Sequence, residues 1–168
     1  MKYTPPKGMT VTAQDGSDFG VIYGLANTTT GVTDGSDAAA GDIGEFVTAT
    51  LASGSAVSLT SGTTANVTSI SLTPGDWDVW GQVALHPAAT TVVGNSSSGT
   101  SVTSATIDVQ GTFDTDTYQV TSTVDLVKGA PVRRLNITAT TTVYLVTNTT
   151  FTTSTCTAYG VINARRVR

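Results

Sequence analysis

Residues 68–85 read TSISLTPGDWDVWGQVAL. Apolar residues alternate with Thr, Ser and Asp, break at Pro74-Gly75-Asp76, and then alternate again. Successive side chains of a strand point to opposite faces, so this period of two specifies a strand on each side of the break. Pro fixes φ and Gly tolerates positive φ, which makes Pro74-Gly75 the centre of a type II turn and the stretch a hairpin. Ile70, Leu72, Trp77, Val79, Gly81, Val83 and Leu85 then share the core-facing phase. Trp80 takes the opposite phase, pointing out of the core.

The same texture runs through most of the 168 residues. Thr is the commonest residue, Val is plentiful, and Glu, Lys and Arg are scarce. β-Branched residues fit a pleated, half-buried surface and lose rotamer freedom in a helix, so the chain is expected to be all-β. Charged residues make up only 12% of the chain, about half the usual share for a soluble domain. Hydroxyls and amides must therefore cover its exposed faces, giving a neutral surface suited to packing against protein or sugar.

Short alternating segments at 44–51, 55–60, 65–73, 76–86, 101–110, 117–127, 131–139, 141–151 and 155–166 are the expected strands. Their spacing, with no helical period between them, predicts an antiparallel β-sandwich or jelly roll over residues 44–168. The stretch 86–101 is expected to be a flexible loop with a short strand inside. A second hairpin is expected to join VRRLNITA to TTVYLVTNTTF. Residues 1–43 differ in texture. One apolar island, FGVIYGLA at 19–26, lies between two DGSD turns at 15–18 and 34–37. Such a segment cannot bury a core of its own and is expected to be an extended anchoring arm. Its Phe19, Val21, Ile22 and Tyr23 are the residues to add a strand to a partner's sheet edge.

The net charge of −4 gives no electrostatic footprint for nucleic acid, and the three terminal arginines of NARRVR are too few to supply one. They are expected to be solvated or salt-bridged. No stretch approaches the length of a membrane span. One cysteine, Cys156, cannot form an internal disulfide and is expected to be a small buried hydrophobe. No Cys/His spacing suits a metal, the DGSD turns lack further regularly spaced oxygen ligands, and no cofactor is expected.

Catalysis finds few candidates. A triad needs a base beside its nucleophile, and His86, the only histidine, stands at a strand end before Pro87. It is expected to be a structural or interface residue. The carboxylate pairs Asp76/Asp78 and Asp114/Asp116 could suit glycoside cleavage, but pairs two apart on a strand more often serve solubility and turns. The remaining signal is aromatic. Trp80 and Tyr144 fall on polar-flanked faces, where an outward ring anchors a subunit contact or a sugar.

Gly44-Glu45-Phe46-Val47, Val57-Ser58-Leu59, Asn66-Val67, LTPGDWDVWG, TTTVYLV and the terminal ARRVR occur in an order that resembles virion proteins of tailed bacteriophages and prophages. The resemblance covers about residues 41–168. It implies a trimeric, jelly-roll-like domain on the virion surface, without catalytic activity, bound to the major capsid protein or other virion proteins. A tail-fibre tip would carry a long shaft before the sandwich. Here a short arm precedes it, which favours a head decoration protein or head fibre. The alternative is a tail-fibre tip that reads a host-surface glycan through Trp80, Tyr144 and the 86–101 segment.

Overall fold

The chain divides between Thr33 and Asp34 into two units. A computed structural model describes residues 34–168 apart from positions 110, 118, 122 and 123. The first DGSD turn and the arm candidates Phe19, Val21, Ile22 and Tyr23 lie outside the described residues. Among its described residues the second unit is a β-sandwich of ten strands and one 3-10 turn, Ser53–Ser55.

The first sheet contains β1 (Phe46–Leu51), β10 (Cys156–Arg166), β4 (Gly75–Pro87) and β8 (Leu126–Ile137), in that order, with short β2 (Val57–Ser58) also on β10. The second contains β3 (Ala65–Leu72), β9 (Thr141–Thr152), β5 (Val92–Ser101) and β6 (Phe113–Asp116), with β7 (Val120–Thr121) also on β5. All pairings are antiparallel. Setting aside β2 and β7, the remaining strands are distributed between the sheets as in a jelly roll of two Greek keys. The all-β sandwich expected from composition and period is therefore the observed fold.

The opening stretch keeps its phase but not its hairpin. Strand β3 pairs with β9 and β4 with β10 and β8, so Pro74-Gly75 carries the chain from one sheet to the other. Ile70 and Leu72 on the inner face of one sheet meet Trp77, Val79, Val83 and Leu85 on the inner face of the other, in one core. Gly75 has φ +150°, away from the value near +80° of a type II turn. That φ is strained for any residue with a side chain, and a Cβ there would lie 1.8 Å from an Arg166 guanidinium nitrogen and displace it, so glycine is favoured. The expected second hairpin is corrected in the same way, because β8 and β9 belong to different sheets. A Pro-Gly bend satisfies a hairpin and a sheet-to-sheet crossing equally, and only the long-range pairing separates them.

Two further expectations are overturned. The supposed loop 86–101 contains β5, which pairs with β9 on one side and with β6 and β7 on the other. Its Ser96, Ser98 and Thr100 are buried, and Ser96 Oγ lies 3.2 Å from Thr149 Oγ1. Thr147 Oγ1 donates to the Ser97 carbonyl at 2.9 Å. Of the Ser96, Ser98 and Thr100 hydroxyls only that of Ser96 is paired; Ser98 Oγ and Thr100 Oγ1 are buried without a hydrogen-bond partner, departures from the usual pairing of buried polar groups. The supposed strand 101–110 ends at Ser101, and the chain then turns away. Asn66 holds that turn, accepting from the Ala105 N–H and donating to Ser104 Oγ, both at 2.7 Å.

The expected strands 117–127 and 131–139 resolve into β7 and a single long β8 that runs through Pro131. Proline is tolerated there because β8 is an edge strand, and the β4–β8 register shifts beside it. Along this edge, ion pairs tie the two sheets together. Lys128 Nζ reaches Asp116 at 2.6 Å and Asp114 at 3.3 Å, and Arg133 reaches Asp108 at 2.7 Å.

Candidate interaction surface

The two tryptophans separate as their phase requires. Trp77 is fully buried, its Nε1 donates to the Thr73 carbonyl at 3.0 Å, and the Arg166 guanidinium lies 4.3 Å from its ring centroid. Arg166 is itself buried. It donates to Glu45 Oε2 at 2.8 Å, the Pro74 carbonyl at 2.8 Å and Thr73 Oγ1 at 2.6 Å. Burial pushes the Glu45 carboxyl up, but the Gly41 N–H and Arg166 outweigh it and hold the group below the usual range. The terminal arginines are thus partly structural, with Arg168 paired to Asp76 at 3.1 Å.

Asp76 does not share an exposed face with Asp78, as the carboxylate-pair reading supposed. Its side chain is buried beneath Arg134, which binds both carboxylate oxygens, and beneath Arg168. The Arg134 hydrogen bond, with help from Arg168, holds its carboxyl low. Asp114 and Asp116 are engaged by Lys128.

Trp80 is on the outer face of the first sheet, opposite Asn163 in register and half-buried. Its ring centroid is 6.1 Å from that of Phe46, tilted by 50°. Such tilted pairs are favourable aromatic contacts. Phe46 remains 40% exposed, Val132 65% and Ile43 45%. Asp78 and Arg165, cross-strand partners, complete a shallow depression of about 250 Å³ with Trp80 and Val132.

Tyr144 is on the second sheet, between Ser69 and Ser101 in register. Its phase is opposite to that of the core residues Val143 and Leu145, so it faces outward on the far side of the sandwich from Trp80. The structure does not bring the two rings onto one surface. Their neighbours differ as well: Ser69, Ser71 and Thr142 make the Tyr144 side hydroxyl-rich and exposed.

His86 shares the outer face with Trp80. Its Nδ1 lies 2.6 Å from Asp125 Oδ1, and Asp125 Oδ2 accepts from the Tyr159 hydroxyl. The Tyr159 and His86 hydrogen bonds hold the Asp125 carboxyl low, and Asp125 in turn raises Tyr159. Neither Asp125 nor Tyr159 was expected from the sequence. The usable signal was phase, since Tyr159 alternates with the buried Ala158. Beside Tyr159 is a groove of about 320 Å³, floored by Ala84 and Val161 and bounded by Gln82, Val127 and the chain from Thr50 to Ser53.

In the second DGSD turn, Asp34 Oδ1 accepts from the Ser36 N–H at 3.0 Å and its hydroxyl at 2.7 Å, a local turn contact. Among the described residues no group of three or more His, Cys, Asp or Glu side chains is placed to hold a metal. Cys156 is buried, as expected, and burial pushes its thiol up to about 11.

No family model matches the chain, and no curated protein matches it. Among solved structures, that of infectious bursal disease virus, Gx strain, is similar at 10% identity and a TM-score of 0.40. The match covers 73% of this chain and 30% of that one. A likeness of this size carries no argument about function, and no family is shown.

Proposed function

We propose that this chain is a non-enzymatic structural protein of a phage virion, a head decoration protein or head fibre whose sandwich forms a homotrimer. One observation carries the reading. The outer face of the first sheet presents Phe46 against Trp80, with Val132, Asp78 and Arg165 beside Trp80, and exposed Ile43 lies next to Arg165. Clustered apolar residues on an exposed sheet face mark a contact surface, and aromatic and Arg side chains are the usual anchors of one. The occupant is another copy of this chain, which in a ring of three meets the face with a different patch, a heterologous contact that closes on itself. The paired carboxylates are engaged by Arg134, Arg168 and Lys128, which supports a structural rather than a catalytic role. In this reading residues 1–43 anchor the domain to the major capsid protein or another virion protein.

Sedimentation equilibrium tests the assembly. The wild type is expected as a trimer, and Trp80→Ala and Val132→Asp as folded species shifted to monomer. A folded, stable wild-type monomer at micromolar concentration overturns the trimer. Immunogold labelling of virions then separates head from tail-fibre tip, and loss of particle binding on deleting residues 1–40 tests the arm.

A further inference from the structure

We infer that the groove beside Tyr159 is a binding site for a neutral saccharide, held in shape by Asp125. The groove lies on the outer face of the first sheet, lined on β4 by Gln82 and Ala84, two and four positions from Trp80. At about 3.3 Å per residue that is roughly 7–13 Å along the strand, and Trp80 is not among the residues that line it. Its volume of about 320 Å³ falls in the range of small-ligand sites.

Its chemistry selects the ligand class. The residues that bound it carry no formal charge, so nothing there compensates a phosphate or a carboxylate. The floor is small and apolar, made by Ala84 and Val161, while Gln82 and the Thr50 and Ser53 hydroxyls stand at the sides. A pyranose has the matching division: a C–H face that packs on a ring or an aliphatic floor, and hydroxyl edges that need planar amides and hydroxyls. Tyr159 supplies the ring and Gln82 the amide.

The Asp125 network makes this more than a dent between strands. One carboxylate ties Tyr159 on β10 to His86 on β4 from the segment that leads into β8. The phenol is therefore held before any ligand arrives, which removes part of the ordering cost of binding. His86 stands two positions beyond Ala84 on the same face. The site stands on its own geometry and depends on neither trimerisation nor placement on the virion.

Saturation-transfer NMR on the intact protein tests it, with glucose, galactose and N-acetylglucosamine as probes at millimolar concentration. At least one sugar is expected to receive transfer, and its apparent affinity should fall about tenfold or more in Tyr159→Ala and in Gln82→Ala. Trp80→Ala should leave it unchanged. Gln82 is exposed, so its variant reports on the groove even if Tyr159→Ala fails to fold. Tyr159→Phe, which keeps the ring but releases Asp125, should weaken binding less than Tyr159→Ala. Absence of transfer to all three sugars overturns the inference, and so does transfer that survives Gln82→Ala undiminished.

Discussion

Replacing Trp77 with Ala should be among the most damaging single changes available to this domain. The indole is fully buried and bridges the inner faces of both sheets through its contacts with the core. An aromatic side chain of this kind buries on the order of 200 Å². At about 25 cal/mol per Å² that is roughly 5 kcal/mol, an upper figure because the unfolded chain already hides some of the surface. Incomplete collapse of the cavity adds to the loss, and large-to-small aromatic truncations cost about 3–5 kcal/mol. Arg166, 4.3 Å from the ring, loses a cation–π partner and stays buried. The Thr73 carbonyl loses a donor, but Thr73 is exposed and water can replace it at small cost. Trp80, half-buried on the outer face, should cost the isolated fold roughly 1–2 kcal/mol on the same reasoning. Urea unfolding followed by far-ultraviolet circular dichroism measures both. With a slope of about 2 kcal/mol per molar, Trp77→Ala should lower the midpoint by roughly 2 M and Trp80→Ala by less than half as much. If Trp80→Ala proved the more damaging, the strand phase, and with it every face assignment along β4, would be refuted.

Other changes probe the same architecture. Asp76 has its carboxyl held low by Arg134, so its stabilising contribution is present above the ordinary carboxylate range and is lost as pH falls through its folded value. Wild-type melting temperature will therefore drop on acidification below about pH 4, and Asp76→Asn will flatten part of that slope. Gly160→Ala places a Cβ 2.1 Å from the Gln82 carbonyl oxygen, and its melt should show a loss larger than an ordinary surface substitution gives. Cys156 should stay unreactive toward a thiol reagent at mildly alkaline pH in the folded protein and react promptly in urea. Rapid native reaction would show that β10 frays at its start.

The phase of β4 was legible because its apolar residues alternate cleanly, and alternation survives whichever sheet the strand joins. The sheet itself was not legible. Nothing within TSISLTPGDW distinguishes two strands that pair with each other from two that face each other across a core. Strand β5 was missed because VVGNSSSGTS has the composition of a loop. It is held by ladders on both sides, which local composition does not report. Arg166 looked like part of a solvated tail, yet it continues the inward phase of Ile162 and Ala164, and that phase was the available signal. The His86–Asp125–Tyr159 cluster joins residues 39 and 34 positions apart, through side chains whose alternation says only that they face outward.

The position of β10 bears on how the protein is made. It lies between β1 and β4 in the first sheet, and β9 lies between β3 and β5 in the second. The last two of the described strands to leave the ribosome are thus each an interior strand of one sheet. Until they emerge, the earlier strands have neither their central partners nor the guanidinium that caps Trp77. Folding must therefore wait until nearly all of the sandwich has been synthesised, and pairings this remote in sequence form slowly, over milliseconds to seconds. During that interval strand edges lie open to neighbouring copies, the condition under which β-proteins aggregate. A chain interrupted anywhere before Cys156 would lack the strand that joins β1 to β4 and should fail to complete its first sheet.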